Sequence, residues 1–290
     1  MNSPAAASSS RTTFILAHGS WHGAWCWGRV TPHLVAAGHS VIAVDFPGHG
    51  LDAKFPKAYG DPLDAEAFAT EPSFIADIPL SDFVATVTNA VDQAKAGGAE
   101  RVVVVGHSMG GWPITFAGEE AADKIDTLIF LTACMGPPDA PWANYFAVPE
   151  QEGTKLGDVL SADPAVVGSF RWNPRSKDPA FLETAKAALV ADGDDDVIAA
   201  ALNMLTPDAP AAIYSEVPTL TADRYGSVDR VFIKCTEDFT LRPALQDLMV
   251  SDLNAAFPDK PVRVFEMQSS HEPMLSRPEE LAETLLKAIA

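Results

Sequence analysis

The pentapeptide Gly106-His107-Ser108-Met109-Gly110 follows directly on the apolar run Arg101 to Val105 and leads into Gly111-Trp112-Pro113. A serine two residues from glycine on either side, between a strand and a helix, occupies a turn tight enough to lift its hydroxyl above the sheet. Gly106 and Gly110 lack a Cβ and let strand and helix approach, while Pro113 suits a first helical turn because its missing N–H costs nothing there. Ser108 is therefore a candidate nucleophile.

A serine hydroxyl is weak until a base takes its proton. Seven histidines compete for that work. His271 stands in Ser269-Ser270-His271-Glu272-Pro273, the loop after the last expected strand, which opens on the sheet edge that carries Ser108. It is the candidate base. His107 adjoins the serine but is expected to point away; His33, His39 and His49 read as structural or exposed, and His18 and His22 as orienting their own loop. The base needs a carboxylate to hold its tautomer and balance its charge. Thr236-Glu237-Asp238 lies at the carboxyl end of the run Arg230 to Cys235, between serine and histidine in chain order. Asp238 is preferred, with Glu237 the nearest rival and Asp139 a third choice.

A carbonyl attacked by Ser108 would develop negative charge and need two preorganised donors. The backbone N–H of Met109 is one. The other is expected from His18-Gly19-Ser20-Trp21-His22-Gly23-Ala24-Trp25, at the end of the first strand, with the N–H of Ser20 as the better choice. The Ser20 hydroxyl could equally stabilise the turn or touch a substrate. Gly19, Trp21, Trp112, Trp142 and Phe146 are candidate pocket residues, and Trp21, Trp25 and Trp27 are expected to pack the loop down.

The elements that must position these groups are legible as periodicities. Thr13 to Ala17, Ser40 to Asp45, Arg101 to Gly106 and Thr127 to Thr132 are near-continuously apolar, as in strands covered on both faces. Helix-length segments at 28–37 and 80–97 lie between them, the second with Phe83, Val84, Val87 and Val91 at helical spacing. Alternating strand and helix predicts an α/β fold, a doubly wound and mostly parallel sheet. Strand character returns at Arg230 to Cys235 and Pro261 to Met267. Ser276-x-x-Glu279, with Pro278 just inside, predicts a capping box and a last helix.

Residues 1–11 read as a disordered tail, 12–136 and 223–290 as the sheet core, and 137–222 as an inserted helical cap. Proline-punctuated 51–79 is either a rim of the site or an irregular surface loop. The formal charge of −19 among 290 residues disfavours nucleic acid and anionic membranes as partners. With no signal-like start or long apolar stretch, a cytoplasmic protein is expected. Three scattered cysteines suggest free thiols, and the acidic run at 192–196 lacks the spacing of a calcium loop, so neither metal nor cofactor is expected. The oligomeric state, homodimer included, is left open.

Taken together, AHGSWHGAWCW, DFPGHG at Asp45 to Gly50, GHSMGG, KCTEDFTLRP at Lys234 to Pro243 and SHEPMLSRPEEL resemble the α/β-hydrolases that include plant methylesterases, polyneuridine aldehyde esterase and the hydroxynitrile lyases. The resemblance covers nearly the whole chain after residue 11. It implies an α/β-hydrolase fold, a triad of Ser108, Asp238 and His271, oxyanion donors at Ser20 and Met109, and a cofactor-independent serine carboxylic ester hydrolase acting on a small to medium, largely apolar ester. In the lyases a threonine follows the first-strand histidine and a lysine follows the catalytic histidine. Gly19 and Glu272 stand at those positions here and favour ester hydrolysis over cyanohydrin cleavage. A lactone could replace the ester, and a noncatalytic binding protein is the remote alternative. A longer 51–79 loop and an extended cap, with Trp142, Phe146, Trp172 and Phe181, leave the substrate unassigned.

Overall fold

The computed structural model describes residues 11–290. The tail expected over 1–11 lies outside the described residues except for Arg11, whose carbonyl accepts the N–H groups of Glu100 and Arg101 at 2.9 and 3.2 Å.

Six parallel strands form the central sheet: β1 (Thr12–Ala17), β2 (Ser40–Val44), β3 (Arg101–His107), β4 (Thr127–Leu131), β7 (Asp229–Cys235) and β8 (Arg263–Met267), in the spatial order β2-β1-β3-β4-β7-β8. Every apolar run expected to be a strand is one, to within two residues at its ends. Along β1, β3 and β4 alternate residues serve opposite layers. Ile15, Val102, Val104, Leu128 and Phe130 join one cluster, and Phe14, Leu16, Val103, Val105, Ile129 and Leu131 the other. Each such side chain, wholly withdrawn from water, is worth about 1.5–3 kcal/mol. The edge strands β2 and β8 are covered less completely, which fits their partly exposed residues.

Among the described residues ten α-helices accompany the strands: α1 (Thr31–Ala36), α2 (Ala65–Thr70), α3 (Leu80–Ala96), α4 (Gly111–Glu120), α5 (Pro164–Val167), α6 (Pro179–Leu189), α7 (Asp195–Met204), α8 (Pro243–Ala256), α9 (Pro273–Ser276) and α10 (Pro278–Ile289). The apolar faces of α3, α4 and α8 cover one side of the sheet, and α1 and α10 the other. The helix expected over 28–37 divides into a 3-10 turn, Ala24–Arg29, and α1, which starts at Thr31 with Pro32 in its first turn.

The capping box expected at Ser276 does not form. Ser276 closes the short helix α9, and its hydroxyl turns back to the Glu272 carbonyl at 3.4 Å; Arg277 is the residue before α10. Two helices meeting at a proline leave no extended residue to act as the cap.

Residues 137–222 enter between β4 and β7 and are not wholly helical. Besides α5, α6, α7 and several 3-10 turns they hold an antiparallel ribbon, β5 (Ser169–Arg171) with β6 (Asp208–Pro210). Three-residue strands are too short to leave a period in the sequence. Arg171, fully buried, donates from Nε and Nη2 to the two Asp208 oxygens at 2.7 and 2.8 Å, and from Nη1 to the Phe68 carbonyl at 2.8 Å. Ser73 Oγ donates to the same carboxylate at 2.6 Å. The long 51–79 connection is thus fastened to the ribbon through a buried ion pair, and it contains α2, capped by the Asp64 carboxylate at 3.1 Å from the Ala67 nitrogen.

Candidate functional site

The chain leaves β1 for β2 on one side and crosses back to β3 on the other, so the loops beyond the carboxyl ends of β1 and β3 diverge and open a crevice. Ser108, His271, Asp238, Ser20 and Met109 all lie at this edge. Ser108 follows β3 with φ at +51°, left-handed backbone for a residue with a side chain. The turn is held by close approach: a Cβ on Gly106 would stand 2.7 Å from the Gly110 carbonyl oxygen, and one on Gly110 2.5 Å from that of His18. The Cys134 N–H donates to the Ser108 carbonyl at 2.9 Å.

His271 Nε2 lies 2.9 Å from Ser108 Oγ, and Nδ1 lies 2.6 Å from Asp238 Oδ2. The other Asp238 oxygen accepts the backbone N–H groups of Thr240 and Leu241 at 2.6 and 2.9 Å. Oδ2 also accepts the Thr132 hydroxyl at 2.5 Å. Four donors converge on one fully buried carboxyl group, an acceptor's environment. Nδ1 of His271 therefore carries the proton, and the Nε2 lone pair faces Ser108. The rivals lie elsewhere. Glu237 is exposed and accepts from Gln268 Nε2 at 2.9 Å, and Asp139 is exposed on the inserted segment.

His107 does not hydrogen-bond to the serine beside it. Its Nε2 donates to the His271 carbonyl at 2.9 Å, the ring centroids are 4.8 Å apart, and burial, then the charge of His271, hold its pKa well below the usual value. A neutral His107 thus holds the backbone of His271. His18 is also neutral: burial, then His49, lower its pKa, its Nε2 accepts the Phe46 N–H at 3.0 Å, and Nδ1 donates to the Gly19 carbonyl at 2.7 Å. His49 is buried and His33 exposed. The contacts of Thr132 and His107 were not read from the sequence; their only signal is that His107 ends β3 and Thr132 follows β4 at the edge that bears Ser108.

Above Ser108 and His271 is a cleft of about 490 Å³, part of it open to solvent. Ser20, Trp21 and Leu241 of the core line it, with Trp142, Phe146, Phe170 and Tyr214 of the inserted segment. These four aromatic rings pack with centroids 5.0 to 5.6 Å apart where they touch. Burial pushes the Tyr214 phenol well above its usual pKa, leaving a neutral hydroxyl 3.4 Å from Ser20 Oγ. Trp112 does not line the cleft. It is buried in the core and donates from Nε1 to the Ile213 carbonyl at 3.0 Å. Gly19 and Met109 stand beside Ser108 rather than on the cleft wall. A Cβ on Gly19 would lie 2.8 Å from His107 Nδ1 and 2.9 Å from Ser108 Cβ. Trp172 is buried against Trp21, and Phe181 packs beyond it.

The acidic run divides. Asp194 precedes α7, with Asp195 and Asp196 in its first turn. Asp192 instead accepts from the hydroxyls of Ser269 and Ser270, on the loop that carries His271, and from Arg277 Nε at 2.8 Å. All three cysteines are free and buried, and burial raises each thiol pKa. Among the described residues no three His, Cys, Asp or Glu side chains are grouped to hold a metal ion, and no helix is long and apolar enough to cross a membrane.

Known proteins are similar to this chain over nearly all of its length. The chain is 30% identical to methylesterase 9 of Arabidopsis thaliana over 284 residues, covering 94% of this chain and 96% of that protein. It is also 30% identical to methyl jasmonate esterase 1 of Vitis vinifera over 291 residues, 95% of this chain and 96% of that one. Among solved structures, a pyrethroid hydrolase from Sphingobium faniae matches with a TM-score of 0.73 at 23% identity, over 97% of this chain and 98% of the other. Polyneuridine aldehyde esterase matches with a TM-score of 0.70 at 23% identity, over 97% and 100%. With residues 14–284 matching the alpha/beta hydrolase family and methylesterases similar over nearly the full length, the chain belongs to the α/β-hydrolase family, in its methylesterase group.

Proposed function

We propose that this protein is a cofactor-independent serine carboxylic ester hydrolase acting through an acyl-enzyme on a small to medium, largely apolar ester. The observation that carries the reading is the continuous relay from Ser108 Oγ through both His271 nitrogens to Asp238, opening into an aromatic-walled cleft. Ser108 attacks the ester carbonyl as His271 Nε2 accepts its proton, and Asp238 stabilises the imidazolium. The N–H groups of Ser20 and Met109 hold the oxyanion. His271 then gives the proton to the leaving alcohol, and a water molecule activated by the same nitrogen releases the acid. The names of the relatives point to methyl esters as the first class to try.

Gly19 and Glu272 argue against cyanohydrin cleavage. A threonine at position 19 would collide with His107 and Ser108, and position 272, which holds a lysine in the lyases, carries a buried carboxylate turned to His22.

The test compares wild type with Ser108→Ala on methyl, short acyl and aryl esters, with a lactone and mandelonitrile alongside. The serine variant is expected to lose several orders of magnitude in kcat on esters. Equal ester hydrolysis by the two proteins, or mandelonitrile cleavage exceeding ester hydrolysis, would overturn the reading.

A further inference from the structure

The loop after β1 and the loop after β8 meet at a buried contact that the reaction scheme leaves unused. His22 and Glu272 are 2% and 1% exposed, with Nε2 of the histidine 3.2 Å from Oε1 of the glutamate. Nδ1 of His22 lies 2.7 Å from the Ser20 carbonyl oxygen. A carbonyl oxygen only accepts, so Nδ1 carries a proton, and a ring also protonated at Nε2 satisfies the second contact. The contact with Glu272 is an ion pair without in-line hydrogen-bond geometry. Leaving either partner alone at this depth would strand a polar or charged group away from water.

The position of the pair gives it a consequence. In a trans peptide the C=O and N–H point in opposite directions. The Gly19 carbonyl is held by His18 Nδ1 at 2.7 Å and by the His22 N–H at 3.4 Å, which turns the Ser20 N–H of the same peptide the other way. The next carbonyl, that of Ser20, is held by His22 Nδ1, and the one after, on Trp21 at φ +65°, by the Thr206 N–H at 2.9 Å. Three successive carbonyls are thus fixed, the middle one by a side chain anchored to the residue after His271.

We propose that His22 and Glu272 are positioning residues that hold the Ser20 oxyanion donor and tie it to the loop carrying the base, so that both sides of the reacting carbonyl are set together. The inference rests on the ester-hydrolase reading. The other ionisable groups facing His22 do not compete for its charge. His107, at a ring distance of 6.1 Å, His18 and His49 are all kept neutral by burial, the last with its pKa at about 4. The Cys26 thiol, near Glu272, is pushed up by burial, and Asp45 is engaged by the Ala24 N–H at 2.6 Å. Burial pulls the pKa of His22 down, but the Glu272 carboxylate and the Ser20 carbonyl outweigh it, and the net direction is up. The pair is therefore intact below that raised value and lost as pH rises through it.

The experiment compares wild type, Glu272→Gln and Glu272→Asp on an ester that wild type hydrolyses, from mildly acidic to alkaline pH. Glu272→Gln is expected to lower kcat ~10- to 100-fold with KM within about twofold. It should also abolish the alkaline fall in kcat expected of wild type, and Glu272→Asp should recover part of the rate. A Gln variant with wild-type kcat and an unchanged alkaline limb overturns the proposal. Nitrogen-resolved NMR of the His22 ring in wild type keeps the test independent of turnover and of variant folding. Two protonated ring nitrogens near neutral pH support the pair, and a single one overturns it even if no ester is hydrolysed. Failure of the hydrolase reading would instead appear as equal rates for wild type and Ser108→Ala.

Discussion

Thr132 Oγ1 donates at 2.5 Å to the same Asp238 oxygen that holds His271 Nδ1 at 2.6 Å. Thr132 begins the connection that leaves β4, with φ at +35°, and so brings a hydroxyl from the neighbouring strand onto the acid of the relay. Replacing it by valine keeps the shape and removes one of four donors. Hydrogen bonds to charged groups are worth about 1.5–3 kcal/mol, and that loss is expected in a urea unfolding experiment. The loosened carboxylate should also lower kcat ~3- to 10-fold with KM little changed, because the base is then less firmly oriented.

The two neighbouring acids separate cleanly. Asp238→Asn leaves a side chain that can donate toward Nδ1, favours the wrong imidazole tautomer and is expected to cost ~10⁴-fold in kcat. Glu237→Gln alters an exposed side chain that accepts from Gln268, and kcat should stay within about twofold of wild type. Steady-state kinetics of both variants on one ester decide the assignment, and a large loss in the Glu237 variant would reverse it.

Acid should weaken the fold through His49. Burial lowers its pKa to about 4, and with Nδ1 engaged by the Pro47 carbonyl at 3.1 Å, Nε2 has no partner. The unfolded chain takes up a proton near the ordinary histidine value while the folded chain refuses it. The stability due to the neutral ring is therefore full above about pH 6.5 and lost as pH falls toward 4, about 3 kcal/mol in all. Urea midpoints at pH about 7 and about 4.5 should converge more closely in His49→Gln than in wild type. An equal drop in both proteins would remove His49 as the cause.

Arg171 holds the 51–79 connection to the inserted ribbon. Arg171→Leu leaves the Asp208 carboxylate buried with only the Ser73 hydroxyl for a partner, which should cost about 3–5 kcal/mol. The connection should also become the first site of limited proteolysis. A cleavage pattern like that of wild type would show that other contacts hold it.

The sheet was legible because parallel strands covered on both faces need unbroken β-branched runs, and all six parallel strands end at one edge. That edge brought Ser108, His271 and the residues after Cys235 into one argument before any distance was known. The inserted segment was less legible. Its ribbon is three residues per strand, and its helices and turns are set by buried partners such as Arg171 and Asp208, more than 30 residues apart in sequence. Trp112 shows a further limit: next but three to Ser108 in the chain, it turns into the core because its helix runs away from the cleft. Asp192 shows the converse, an acid in a run that otherwise begins a helix but whose carboxylate reaches the loop bearing His271.

By itself, then, the sequence determined the order of strands and helices in the sheet core, the tight turn at Ser108, and the residue types able to supply base and acid, because these depend on local periodicity and on chemistry written in single residues. Only the tertiary structure shows that Asp238 and not Glu237 meets His271, how His18 and His22 hold the carbonyls around Ser20, and that His22 lies against Glu272. Which way a side chain points at the end of a strand, and what distant group meets it there, is settled by packing between segments far apart in the chain, and no pattern along the chain encodes it.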